Sequence, residues 1–209
     1  MVSEMEIELK YNIPDAATAD EIWDNELFGN YEEEGSREEI FLAAKYFDTE
    51  DYNLSGNEIA YRVRKEGTHT VATIKWKGHS EDGLHVREEI NVPVHSEEPD
   101  PSVFKESRIG SQVMEFVGDS SLHCILESLV KRRSLRIDTG EGIFELSVDE
   151  GSIVTEYGEV PIREVELELY SGETEELKKA GARLQEKFNL TVENESKYSR
   201  GMKLIKANR

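Results

Sequence analysis

Hydrophobic and charged positions alternate with a period of two along much of the chain. Ile7 and Leu9 interleave with Glu6, Glu8 and Lys10, Tyr61 and Val63 with Arg62 and Arg64, and Val165, Leu167 and Leu169 with Glu164, Glu166 and Glu168. Period two is the repeat of an extended strand, whose successive side chains point to opposite faces. The pattern predicts strands over 4–11, 38–48, 58–66, 70–78, 84–93, 129–138, 142–149 and 162–170. Turn signals such as Ser55-Gly56-Asn57, Glu66-Gly67-Thr68 and Glu81-Asp82-Gly83 separate several of them at hairpin distance. Helical signals are fewer. They cover 15–27 (opened by Pro14 and Asp15), a stretch within 101–128, 173–188 with Glu early and Lys late, and a short piece over 195–206. His95 to Ser102, with Pro99 and Pro101, reads as a connection between two halves of one sheet. About eight antiparallel strands with helices between them predict a mainly antiparallel α+β protein, a barrel or a sandwich.

Composition narrows the partners. The 209 residues carry 45 Asp and Glu against 25 Lys and Arg, a formal charge of −20. A net acidic exterior argues against nucleic acid or an anionic membrane lying on the surface. Met1 to Glu6 show no basic segment followed by an apolar run, and no stretch is long and apolar enough to span a bilayer. Cys124 is the only cysteine, which excludes an intrachain disulfide and a multi-thiolate metal site and points to a reducing, cytoplasmic location. It sits beside Leu122, Ile125 and Leu126 and is expected to be a buried thiol on a helix. The histidines (His69, His79, His85, His95, His123) show no metal-binding spacing and read as structural or solvent-exposed. No GxxxxGK[ST] phosphate loop is present.

The signs of the strand charges change the picture again. A solvated sheet usually interleaves signs, because like charges directly opposite one another repel. Here they are grouped: Arg62 with Arg64, Lys75 with Lys77 around Trp76, Glu164 with Glu166 and Glu168. Lys and Arg clusters suit phosphate oxygens, and carboxylates spaced two apart suit Mg²⁺ or Mn²⁺. Together they point to a metal-bound polyphosphate. In a closed barrel the charged set would line the lumen and the apolar set would face outward under the helices.

The same residues resemble a known family. Glu6-Ile7-Glu8-Leu9-Lys10 is similar to the ExExK signature of the CYTH superfamily, the triphosphate tunnel metalloenzymes. Tyr46-Phe47-Asp48-Thr49, Tyr61-Arg62-Val63-Arg64, Thr73 to Gly78, Arg87-Glu88-Glu89, Lys131 with Arg133, Asp149-Glu150-Gly151 and Glu164 to Gly172 follow in the family's order. Ser196 to Gly201 resembles a C-terminal helix motif of the inorganic triphosphatase branch.

The resemblance implies one tunnel domain over 1–209, a closed eight-stranded barrel that binds a linear triphosphate with Mg²⁺ or Mn²⁺. It matches Glu6, Glu8, Asp149, Glu166 and Glu168 to metal-binding carboxylates. Glu164 shares their face, so which two of the three strand-eight glutamates hold metal stays open. Lys10, Arg62, Arg64, Lys75, Lys77, Arg87, Lys131, Arg133 and Lys197 match phosphate-binding positions, and Glu89 an inward acidic one. Glu6, Glu8 and Lys10 form the implied catalytic set. The register of 129–138 is open, because Arg132 and Arg136 put charge on the face opposite Lys131 and Arg133. This lumen set holds nine basic and seven acidic residues, so a net positive interior is expected. The implied activity is metal-dependent hydrolysis of a small-molecule triphosphate, first of all tripolyphosphate to pyrophosphate and phosphate. The alternatives are a class IV adenylyl cyclase, a thiamine triphosphatase and a noncatalytic polyphosphate sensor, with monomer or homodimer left open.

Overall fold

The computed structural model describes residues 3–209. Met1 and Val2, at the head of the segment read as lacking a leader, lie outside the described residues. The strands are β1 (Glu4–Asn12), β2 (Glu38–Asp48), β3 (Ala60–Glu66), β4 (His69–Glu81), β5 (Leu84–Val94), β6 (His123–Asp138), β7 (Gly142–Thr155), β8 (Gly158–Gly172) and the two-residue β9 (Thr191–Val192). The helices are α1 (Ala16–Asp24), α2 (Asn53–Gly56), α3 (Arg108–Val117), α4 (Thr174–Phe188) and α5 (Lys197–Asn208). Strands follow one another in the order β5-β4-β3-β2-β6-β7-β8-β1, and pairing of β1 with β5 closes the ring. β9 adds to the outer end of β1. The result is the expected closed, eight-stranded antiparallel barrel.

The apolar half of each alternation faces outward and is covered. On one side Leu9, Leu146, Val148, Val165 and Leu167 pack against Ile22 of α1 and Leu177 and Leu184 of α4. On the other, Tyr61, Val63, Ile74, Trp76 and Ile90 pack against Leu54 of α2, Phe104 in the turn Pro101–Phe104 that precedes α3, and Val113 of α3. Burial of each such side chain stabilises the fold by roughly 1.5–3 kcal/mol. Local signals set the helix starts: the Asp15 carboxylate accepts from Thr18 N at 2.8 Å, and Ser196 caps α5 by accepting from Ser199 N at 3.1 Å. Among the described residues no helix is long and apolar enough to cross a membrane.

α5 is different, because it packs against inward-facing residues. Its Met202 and Ile205 are buried with Leu126, Val130, Ile153 and Ile162. A Cβ on Gly201 would come within 2.7 Å of Leu126 Cδ2, so the glycine permits this close approach. α5 therefore closes one end of the barrel.

Two expectations are corrected here. β6 begins at His123, so Cys124 lies on a strand and not on a helix, and its side chain is exposed. β7 and β8 also run past 149 and start before 162, forming one long hairpin that turns between Thr155 and Gly158.

Candidate active site

With the apolar faces turned to the helices, the alternate side chains converge on an internal cavity of about 510 Å³. Seven cations line it: Lys10, Arg62, Arg64, Lys75, Arg87, Arg132 and Lys197. Nine glutamates share the wall: Glu4, Glu6, Glu8, Glu38, Glu66, Glu89, Glu145, Glu166 and Glu168.

At the α5 end the charges are interlocked. Lys197, the first residue of α5, places its Nζ 2.7 Å from Asp149 Oδ2 and 2.9 Å from Glu166 Oε1, and it also bonds Glu164. Arg132 donates both arms to Asp149 at 2.7 Å and reaches Glu166 at 2.5 Å. Lys10 lies 2.9 Å from Glu166, and Arg200 bonds Glu164. Asp149 and Glu164 are entirely buried behind this layer. Further along, Lys75 bridges Glu6 at 2.5 Å and Glu89 at 2.8 Å, and Arg64 donates to Glu66 at 2.6 Å. Arg62 is the exception. Among the described residues no carboxylate pairs with it; its Nη2 donates to Thr73 at 3.2 Å and its buried Nε donates to nothing.

Burial disfavours every charge in the lumen, and pairing decides which ones persist. At Lys10 burial is outweighed by Glu166, Glu8 and Glu164, which hold the ammonium's pKa above its ordinary value. At Glu166 burial is outweighed by Lys10, Lys197 and Arg132, and the carboxyl is held well below its usual range. Glu168 goes the other way: burial, then the charges of Glu6 and Glu8, push it up to about 8. Glu6 also carries a buried oxygen with no hydrogen-bond partner. The donor chemistry of Glu6, Glu8 and Glu168, hard carboxylate oxygens of one sign, suits a divalent cation. Asp149, Glu164 and Glu166 form a second buried group whose oxygens lie within 4.8 Å of one another, a geometry that can hold a metal ion. Lys197 and Arg132 already neutralise that group.

The architecture and the ordered strand motifs agree with a direct comparison: the sequence profile of the CYTH domain matches residues 4–202. The chain belongs to the CYTH family. An inorganic triphosphatase of Haemophilus influenzae is 30% identical over 139 residues, an alignment covering 66% of this chain and 38% of that protein. The chain thus spans well under half the length of that curated relative. Among solved structures, a Hippeastrum protein proposed to be an adenylyl cyclase and described as having a dominant triphosphatase activity superposes with a TM-score of 0.72 at 19% identity, covering 95% of each chain. A Bacillus halodurans protein proposed to be an adenylate cyclase gives 0.63 at 21% identity, covering 96% of this chain and 98% of that one. At such identities these likenesses speak for the fold alone.

Within this CYTH barrel, Glu6, Glu8, Lys10, Arg62, Arg64, Lys75, Arg87, Glu89, Glu166, Glu168 and Lys197 line the cavity as the motifs predict. Asp149 and Glu164 join them through Lys197. Three expected phosphate-binding positions do not. Lys77 lies where the β4–β5 ladder shifts register between Trp76 and His79; it adopts a φ of 52° and its side chain turns outward to Glu88 at 2.8 Å. This bulge ends the alternation after Lys75. Lys131 and Arg133 are displaced by the register of β6, which pairs Arg132 with both Asp149 and Ile40. Cross-strand partners share a face, so Arg132 enters the lumen and its neighbours leave it. Lys131 bonds Glu39 outside at 2.7 Å, and Arg133 reaches Asp20 at 2.8 Å beside the Trp23 ring.

Sequence reasoning passed over Arg132, Glu145 and Arg200. Phe144, Leu146 and Val148 are buried on the outer face, which puts Glu145 inside with Asp149. Arg200 follows Lys197 by nearly one helical turn. With Lys77, Lys131 and Arg133 outside and Glu4, Glu38, Glu66 and Glu145 inside, the glutamates of the cavity wall outnumber its cations. The expected net positive interior is therefore corrected.

Proposed function

We propose that this protein is a metal-dependent triphosphatase that hydrolyses a linear triphosphate, with inorganic tripolyphosphate as the first substrate and pyrophosphate and phosphate as products. The observation that carries this reading is the interleaving of seven cations with nine carboxylates in one enclosed lumen. A chelated polyphosphate satisfies both sets at once: its oxygens take the cations, and its metal takes the carboxylates. The relation to an inorganic triphosphatase supports the choice of substrate.

Mg²⁺ or Mn²⁺ held by Glu6, Glu8 and Glu168 would neutralise phosphate charge and lower the pKa of a water. The side chains do the rest. Arg62 and Arg87, the cations least committed to carboxylates, receive phosphate oxygens first. Lys10 and Lys197 hold the deepest phosphate near the α5 end. Water's oxygen bonds to phosphorus as the phosphoanhydride P–O bond breaks, and the fixed cations stabilise the charge that develops on the leaving oxygen. Lys10 is thereby catalytic together with Glu6 and Glu8. A cytoplasmic site of action, one functional unit over 1–209, and a small-molecule partner rather than nucleic acid or membrane belong to the same reading.

The test is incubation with tripolyphosphate, ATP and thiamine triphosphate, with Mg²⁺ or Mn²⁺, measuring phosphate, pyrophosphate and cyclic AMP. Fast phosphate release from tripolyphosphate is expected, and Glu6→Gln or Glu8→Gln should abolish it with an unchanged circular dichroism spectrum. Cyclic AMP from ATP as the main product would replace this reading with a cyclase, and inertness towards all three substrates with a sensor.

A further inference from the structure

His85 is completely buried and lies two residues before Arg87 on β5, so both side chains belong to the lumen face. Its Nε2 is 2.7 Å from the Glu193 carbonyl, which can only accept, so Nε2 carries the hydrogen. Its Nδ1 is 2.9 Å from Arg87 Nη2. A guanidinium can only donate, so Nδ1 is the bare nitrogen. Two partners on opposite sides of the ring thus select the same neutral tautomer. Ser80 Oγ lies 2.8 Å from the same Nδ1, so its hydroxyl shares that single lone pair with Arg87. The buried Nε of Arg87 has no hydrogen-bond partner and lies 3.4 Å from Glu6. One arm of the guanidinium is tethered to the imidazole, while the Nε edge, paired only at long range with Glu6, is free of hydrogen bonds.

We propose that His85 is a positioning residue for substrate phosphate, holding the Arg87 guanidinium by one arm so that its free edge meets a phosphate oxygen; this rests on the triphosphatase reading. The tether also keys Arg87 to the backbone that leads into α5. Glu193 N donates to Lys10 O at 2.9 Å, and Gly83 N donates to Asn194 Oδ1 at 2.8 Å. Arg87, Lys10 and, a few residues on, Lys197 are therefore set by one stretch of chain. Neither metal-type spacing nor exposure draws attention to this histidine; its role is visible only in what its two nitrogens touch.

Two substitutions separate the halves of the ring. His85→Gln keeps an N–H donor for Glu193 and offers Arg87 no acceptor at Nδ1, whereas His85→Asn keeps an acceptor near Nδ1 and loses the tie to Glu193. His85→Gln is expected to raise KM for tripolyphosphate about tenfold, equivalent to ~1.4 kcal/mol, with a much smaller change in kcat. His85→Asn should stay within about threefold of wild type. His85→Gln added to Arg87→Ala should cost nothing beyond Arg87→Ala alone, because the interaction is already gone. A folded His85→Gln variant with wild-type KM, or losses that multiply in the double variant, would overturn the proposal. Nitrogen-15 NMR of the imidazole in the wild-type protein needs no variant: the Nε2–H tautomer is expected, and the Nδ1–H tautomer overturns the tether. Absence of triphosphate turnover in wild type would defeat the functional reading instead, and the tautomer would still decide whether His85 holds Arg87.

Discussion

Glu8 and Glu168 stand directly opposite each other in the ladder between β1 and β8, two carboxyls facing the same lumen. Like charges in that relation are destabilising, and the cost is visible at Glu168, which burial and then Glu6 and Glu8 push up to about 8. In the folded protein this acid holds its proton more tightly than in the unfolded chain.

Between the ordinary glutamate range and pH 8 the folded state therefore binds more protons than the unfolded one, and stability falls as pH rises. With metal chelated, chemical denaturation should give a wild type that loses stability relative to Glu168→Gln from pH 5 to pH 8, by as much as ~4 kcal/mol. Parallel pH profiles for the two proteins would remove the assignment. Added Mg²⁺ should stabilise wild type most at the alkaline end, where Glu168 is ionised.

The register of β6 makes neighbouring arginines inequivalent. Arg132→Ala should lower kcat/KM for tripolyphosphate by about a hundredfold or more, since a cation in a water-excluded site is lost at the reacting charge. Arg133→Ala and Lys131→Ala should leave it nearly unchanged, with Arg133→Ala lowering stability through its lost contacts to Asp20 and Trp23. Equal losses at 132 and 133 in a steady-state assay would contradict the register.

Lys197 is the counter-charge of three buried carboxylates, Asp149, Glu164 and Glu166. Lys197→Met leaves them short of one positive charge and should cost ~3–5 kcal/mol in urea denaturation. Adding Glu164→Gln should return part of that stability, because one buried charge is withdrawn with its partner. Turnover should stay low in both variants. A Lys197→Met protein as stable as wild type would mean that the ion cluster does not hold α5.

Gly201 faces Leu126 and Ile153 where α5 enters the barrel end. Gly201→Val should destabilise by ~1–3 kcal/mol through overpacking and should weaken tripolyphosphate turnover by shifting Lys197. A crystal structure of the variant would show α5 displaced from the inner face; an unmoved helix with full activity would refute the coupling.

Much of the fold was legible because one physical signal, alternation, specifies both strand and face. The interleaving of Ile7 and Leu9 with Glu6, Glu8 and Lys10 was enough to send the apolar set outward under helices and the charged set inward. Where the signal degenerates, the reading failed. Lys131-Arg132-Arg133 puts charge on both faces, so the face is decided by the ladder partners of Arg132, Asp149 and Ile40, on one side and by the contacts of Lys131 and Arg133 with Glu39, Asp20 and Trp23 on the other. Lys77 continues the alternation on paper, yet its left-handed backbone at the bulge turns it away. Glu145 could have been found from Phe144, Leu146 and Val148, whose outward face leaves it no other direction. His85 could not, because its role depends on the Glu193 carbonyl, distant in sequence.

The helix that closes one end of the barrel gives the cavity a direction. α5 is seated on Leu126 and Ile153 at one end, and away from it the cavity wall is lined by Glu4, Glu38, Glu66 and Tyr170. On the triphosphatase reading, a chain of phosphates entering from that side would meet Lys10 and Lys197 last, so these cations would hold its leading end and not its middle.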